Sequence, residues 1–203
     1  MRFNKEEICN KNSGMIRAGI EDKNRIIEIL SNAFDDNKSV NYIIPQDAKR
    51  KERIRKLIAY SFDACYLWGD VFLSADKKAC ALTIFPDKKR TSLQSILLDI
   101  KFALSVIGLR NVKKAMNREA SISKIHPEGL LYYLWFIGVD PTAQNKGIGS
   151  QLLKEVLHEG KSKKRIICLE TSTLKNIPWY EKFGLKIYEE LDFGYKLYCM
   201  KKE

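Results

Sequence analysis

An uninterrupted apolar and aromatic run over 131–139 stops at Asp140-Pro141 and gives way to a loop with two glycines, Gln144-Asn145-Lys146-Gly147-Ile148-Gly149. No other passage constrains the fold as tightly. The run is less than half of what a membrane span needs, and its unbroken apolar character over 130–139 marks a buried strand. Beyond the loop, Leu152, Leu153, Val156 and Leu157 recur at helical spacing, and a second apolar stretch follows over 165–169. Strand, helix and strand in succession make a parallel unit with a right-handed crossover. A short helix over 177–183, which Pro178 can start and Gly184 can close, leads into two further strands over 185–189 and 195–200. The expected class is α+β with a mixed sheet.

The first half of the chain is less legible. A short strand is expected at 16–18, then a helix capped by Asp22 with Ile26, Ile27, Ile29, Leu30 and Phe34 on one face. Residues 35–39 read as a turn-rich break. A second helix over 47–68 carries Ile54, Leu57, Ile58, Phe62 and Cys65 as its stripe, with Lys49, Arg50, Lys51, Arg53 and Arg55 crowding its first turns. Cations there oppose the helix dipole, which suits either a binding role or a solvated basic face. A hairpin is expected from 71–74 and 79–85. Residues 91–118 read as two helical pieces broken near Gly108, lying on a core or forming a lid, and 119–129 as a polar connection.

Composition fits one domain over 1–203, long enough to close a core unaided. Five scattered cysteines (Cys9, Cys65, Cys80, Cys168, Cys199) without a CxxC pair read as reduced thiols of a cytoplasmic protein, with neither disulfide nor zinc site. No apolar stretch serves as a secretory signal, and no membrane partner is expected. Thirty-six Lys and Arg against 25 Asp and Glu leave a net charge of +11. That excess implies an anionic partner, whether nucleic acid, a phosphorylated cofactor or an anionic surface.

The loop narrows that choice. Glycines between a buried strand and a helix start let successive backbone N–H groups converge on an anion, with the positive end of the helix behind them. The GxxxxGK[ST] nucleotide loop is absent, and the dinucleotide form GxGxxG fails because Leu152 stands where its third glycine belongs.

From Gly138-Val139-Asp140-Pro141 through Gln144-Asn145-Lys146-Gly147-Ile148-Gly149-Ser150, the chain resembles the acetyl-CoA signature of the GNAT superfamily of N-acetyltransferases, Q/R-x-x-G-x-G/A after a strand ending in V-x-P. Leu169-Glu170-Thr171-Ser172, Asn176 and Tyr180-Glu181-Lys182-Phe183-Gly184 follow at the matching distance, and within the superfamily they are similar to the puromycin N-acetyltransferases. The likeness covers 126–203, so it does not carry the acceptor.

The resemblance implies a GNAT-like central mixed sheet in which two parallel strands, 130–139 and 165–170, splay apart and are flanked by helices. Residues 130–203 would form the cofactor half, and helices within 20–68 and 91–118 the acceptor side, with Phe34, Asp35, Asp36, Tyr42 and Phe85 contributing. Backbone groups of Phe136, Ile137 and Val139 would pair with the pantetheine arm, and Gln144, Asn145, Lys146, Gly147, Ile148, Gly149 and Ser150 would hold the pyrophosphate. The Val139 N–H would serve as oxyanion donor, worth about 3 kcal/mol. Tyr180 would protonate the departing thiolate, since a phenol keeps its proton to higher pH than a thiol. Glu170 is the candidate base, or else only shapes the site. Asn176 would bond the cofactor or merely cap its helix.

The expected reaction is direct acetyl transfer from acetyl-CoA to the primary amine of a small molecule or peptide, with no metal. His126 and His158 stand in unrelated contexts and Cys168 reads as packing. Trp179 reads as core or as part of the acceptor channel. Lys161, Lys163, Lys164 and Arg165 read as a solvated turn or a 3′-phosphate site. A basic nucleic-acid-binding protein using 49–56 and 110–118 and a non-catalytic acyl-CoA sensor are the competing readings. Nucleic acid is disfavoured because no aromatics interleave with the basic residues, and a homodimer is allowed.

Overall fold

The computed structural model describes residues 14–89 and 93–202; Cys9 lies outside them. Fourteen elements follow in the order β1 (Met15–Arg17), α1 (Lys23–Ala33), α2 (Lys38–Ile43), α3 (Arg50–Trp68), β2 (Gly69–Ser74), β3 (Ala79–Ile84), α4 (Leu93–Phe102), α5 (Leu109–Ile125), β4 (Leu131–Val139), α6 (Ile148–Ser162), β5 (Ile166–Thr171), α7 (Ile177–Glu181), β6 (Lys186–Asp192) and β7 (Lys196–Lys202). The strands form one sheet in the order β1-β2-β3-β4-β5-β7-β6. Every pairing is antiparallel except β4 with β5. The mixed sheet expected from the sequence is therefore present, with its one parallel pair built by the crossover through α6.

Two apolar layers hold helices to the faces. On one face Ile26, Ile29 and Leu30 of α1 and Ile54, Ile58 and Phe62 of α3 pack on Val71, Leu73, Cys80, Leu82 and Phe136. On the other, Leu152, Leu153, Val156 and Leu157 of α6 pack on Leu134, Ile167, Leu169 and Met200. A Cβ at Gly160 would lie 2.7 Å from Ile167, so glycine lets the end of α6 come down onto β5.

Local chemistry moves several expected boundaries. Asp22 does not cap α1 with its side chain: it accepts from the Gly19 N–H at 3.1 Å and pairs with Lys77 at 2.7 Å. The supposed break at 35–39 contains a cap, because the Asn37 side chain accepts from the Val40 N–H and starts α2. Asp47 stands before α3, where its side chain accepts from the Lys49 N–H. The polar connection at 119–129 is mostly helix, for α5 runs to Ile125 on its buried Ile122 and stops before Pro127. Gly108, at φ +71°, makes the break between the two helical pieces. Of the apolar residues in the first piece, Phe102 stacks on Tyr60 and Val106 is buried in the core, while Ile96, Leu97 and Ile100 are exposed.

Candidate functional site

β4 and β5 pair only at Leu131 with Ile166, Tyr132 with Ile167 and Tyr133 with Cys168. Past that point the two strands part. A bulge contributes to the divergence: Leu82 pairs with Phe136 and Thr83 with Leu134, leaving Trp135 unmatched, and such an insertion bends and twists its strand. The Asp140 N–H donates to the Lys78 carbonyl at 2.7 Å. Alternation along an antiparallel ladder then turns the backbone of Gly138 and Phe136 toward β3, and that of Ile137 and Val139 toward the open edge. Phe136, expected to contact the cofactor through its backbone, is thereby corrected: its peptide groups face Leu82, and its ring packs edge-on against Phe34 at 5.0 Å.

The loop continues that open edge. Asn145 at φ +61° and Gly147 at φ +78° turn the chain into α6. No backbone N–H from Asn145 through Ser150 finds a partner among the described residues, the first intrahelical bond being Gln151 N–H to the Gly147 carbonyl at 3.0 Å. Six successive donors without a partner thus stand at a helix N-terminus, an arrangement that favours an anion. A Cβ at Gly149 would stand 2.9 Å from Val139 Cγ2, so glycine there lets α6 begin directly against the end of β4. Gln144, Asn145, Lys146 and Gly147 are exposed, while Ile148, Gly149 and Ser150 are half-buried.

On α7, Trp179 donates from Nε1 to Ser150 Oγ at 2.9 Å and packs on Tyr180 with ring centroids 4.8 Å apart. That bond ties α7 to the start of α6 and puts Trp179 against the loop. Tyr180 is buried, burial pushes its phenol well up, and its hydroxyl has no hydrogen-bond partner among the described residues. The Asn176 side chain makes no capping bond although the residue stands at the N-cap of α7.

Glu170 sits on β5 just beyond the point of splay, with its side chain 5% exposed. The Tyr133 hydroxyl donates to its Oε2, and His126 Nε2 stands 3.8 Å from its Oε1. The His126 ring also packs on Tyr133, centroids 5.4 Å apart. Sequence reasoning missed this grouping: His126 lies in a connection and Tyr133 inside an apolar run, and only the parallel register sets Tyr133 beside Cys168, two residues from Glu170. Glu170 Oε1, His126 Nε2 and Tyr188 Oη are all buried without a hydrogen-bond partner, and a site of that polarity suits an ordered water.

Other expected participants are engaged elsewhere. Arg50 holds Asp35 at 2.9 Å and Arg53 pairs with Asp47, so part of the basic start of α3 serves local structure. Lys163 pairs with Glu159 at 2.9 Å and Arg165 with Asp87 at 2.6 Å, removing both from a 3′-phosphate site. The Phe85 ring is buried on the α6 face, beneath the Arg165 guanidinium and beside Tyr132, while its backbone N–H donates to the Trp68 carbonyl at the end of α3 at 2.9 Å. The four described cysteines are buried and their thiols pushed up by burial, that of Cys199 to about 12. Among the described residues no three His, Cys, Asp or Glu side chains group to hold a metal, and no helix is long and apolar enough to cross a membrane.

Residues 107–185 match the model of the Acetyltransferase (GNAT) family. A Corynebacterium glutamicum protein described as histone acetyltransferase HPA2 and related acetyltransferase superposes with TM-score 0.70 at 18% identity, over 94% of this chain and 96% of that one. The C-terminal condensation domain of Ebony, solved with beta-alanyl-dopamine, gives 0.67 at 11% identity over 95% and 99%. Naa50 of Arabidopsis thaliana, in complex with the bisubstrate analogue CoA-Ac-MVNAL, gives 0.51 at 14% identity over 95% and 99%. The architecture is thus the GNAT fold. The likeness to that superfamily read over 126–203 is thus met by a family-model match over 107–185 and by the fold.

Proposed function

We propose that this protein is an acetyl-CoA-dependent N-acetyltransferase that moves the acetyl group directly to a primary amine within a ternary complex. The observation carrying this reading is two neighbouring sets of unpaired backbone groups, Ile137 and Val139 on the open edge of β4 and the amides of Asn145 through Ser150. A pyrophosphate suits the loop, where successive backbone N–H groups have no partner among the described residues and the glycines at 147 and 149 add no side chain to obstruct it. An extended chain of amides fits the strand edge. Acetyl-CoA, when bound, supplies an activated thioester.

Glu170, oriented by Tyr133, takes the amine proton directly or through water held with His126. The amine nitrogen attacks the acetyl carbon and the carbon–sulfur bond breaks. Tyr180 gives its proton to the departing sulfur; burial favours its neutral form. We place the oxyanion donor at the Ile137 N–H and not at Val139. Val139 abuts Gly149 at the mouth of the loop, and the long pantetheine arm must carry the thioester deeper into the splay. The buried cysteines present no thiolate, which favours direct transfer over an acyl-enzyme. A small-molecule or peptide amine is the acceptor, and a cytoplasmic setting suits the cosubstrate.

Calorimetric titration with acetyl-CoA beside a thiol-release assay over a panel of amines tests the reading. Micromolar binding with turnover on one amine class is expected. Binding without turnover on any amine would transfer the site to a sensor role, and no binding would overturn the cofactor assignment.

A further inference from the structure

A groove of about 410 Å3 lies on α5, lined by Arg110, Lys113, Lys114 and Arg118, and closed by Tyr42 of α2 and Phe193 of the β6–β7 turn. We propose that it binds an anionic group, carboxylate or phosphate, carried by the acceptor away from its amine; this rests on the N-acetyltransferase reading above. The spacing 110, 113, 114, 117, 118, 121 puts one face of α5 along the groove, and no carboxylate is among the residues lining it.

The charge balance of the groove differs from that of much of the surface. Arg17, Arg25, Arg50, Arg53 and Arg165 each meet a carboxylate within 3 Å. Among the described residues Arg110, Lys113 and Lys114 meet none, and Arg118 has only Glu119 at 3.9 Å. Arg110–Lys114 and Lys114–Arg118 are like-charge pairs at helical contact spacing, and Arg110 stands in the first turn, where the dipole opposes a cation. No carboxylate of the groove relieves these repulsions, whereas a bound anion would offset every one of them. Two cations are also fixed in advance. Arg118 donates from Nε to Tyr195 Oη at 3.0 Å and from Nη2 to Ser39 Oγ, and Lys114 Nζ sits 3.7 Å from the centroid of the Tyr42 ring. Focusing of positive potential in a concave wall of this kind raises the local concentration of an anion.

The groove adjoins the proposed reaction centre. α5 ends at His126, and the turn bearing Phe193 leads into β7, where Cys199 pairs with Glu170. An acceptor whose amine reaches Glu170 therefore has its distal group within reach of the groove.

The test uses the full chain and the double substitution Lys113→Gln/Lys114→Gln, which lies outside the residues assigned to chemistry and cofactor. With CoA at saturating concentration to fill the loop, inorganic pyrophosphate and succinate are titrated calorimetrically. Saturable binding weakened at least tenfold in the variant, with CoA affinity within twofold, is expected. Primary amines are then compared in matched pairs with and without a terminal carboxylate or phosphate. The anionic members should be preferred at least tenfold in kcat/KM, and the variant should lose that preference while neutral amines hold within twofold. If neutral amines turn over and neither comparison shows groove dependence, the anion site falls and the acetyltransferase reading stands. If pyrophosphate binding depends on the lysines but no amine turns over, the acceptor assignment is overturned together with the acetyltransferase reading. Lysine-dependent binding of tRNA without any small-anion preference would overturn the proposal in favour of a nucleic-acid surface.

Discussion

Replacing Gly149 by alanine places a methyl group 2.9 Å from Val139 Cγ2, where carbon atoms normally settle at about 3.5–4.0 Å. Val139 is β-branched and stiff, so α6 must retreat from β4 by about 0.6–1.1 Å. Overpacking of this size costs about 1–3 kcal/mol. Alanine returns up to about 1 kcal/mol as a better helix former. The net loss of about 0–3 kcal/mol lowers Tm by about 0–12 °C in a chain of this length. Cofactor binding should suffer more. The amides of Ile148, Gly149 and Ser150 move with the helix, and each bond to a charged group contributes about 1.5–3 kcal/mol. Losing one weakens acetyl-CoA binding about tenfold to a hundredfold. Calorimetric titration reads this directly. Val139→Ala removes the clashing methyl and keeps the backbone N–H, so the double variant should bind within about threefold of the parent. An unchanged Kd in Gly149→Ala, or no recovery in the double variant, would refute the claim that the contact between Val139 and Gly149 sets the loop.

Three further outcomes are expected. Tyr180→Phe should lower kcat about a hundredfold with acetyl-CoA affinity within threefold, and unchanged turnover would remove Tyr180 from proton transfer. Tyr133→Phe leaves the buried Glu170 carboxylate without its donor; the cost of about 1.5–3 kcal/mol should appear as a Tm drop of about 3–12 °C together with reduced turnover, and a stable, fully active variant would dissolve the proposed pairing. Asp140 accepts from Thr142 and pairs with Arg25, which holds its carboxyl at about 2, below the ordinary 3.8. A depressed value stabilises the native state above the unfolded value and loses that contribution as pH falls through the folded one. The Tm gap between the parent and Asp140→Asn should therefore be constant above pH ~5 and close between about pH 4 and pH 2; a pH-independent gap would contradict it.

How far the sequence reached depended on whether the information was local. The crossover from β4 through α6 to β5 and the turn into α7 were legible because their signals are contiguous: an apolar run, glycines where a helix starts against a strand, a proline and a glycine around a short helix. That the amides of Asn145 through Ser150 stand together at a helix start was legible for the same reason, since neighbouring peptide groups share one loop. The cap at Asn37 and the full length of α5 were not read, because a turn-like composition and a polar stretch each concealed a helix whose buried residue, Val40 or Ile122, finds its core only in the fold.

The sequence by itself determined the order of elements in the C-terminal part, the glycine loop between β4 and α6, and the superfamily to which it is similar. Only the tertiary structure decided which peptide groups of β4 face the open edge, because one unmatched residue, Trp135, shifts the alternation of a strand whose every residue is apolar or aromatic apart from Gly138. It alone brought His126 and Tyr133 to Glu170, and unpaired lysines of α5 to Tyr42 of α2. Those contacts join residues far apart in the chain, and no period or spacing within a segment encodes a distance that pairing and packing between segments create.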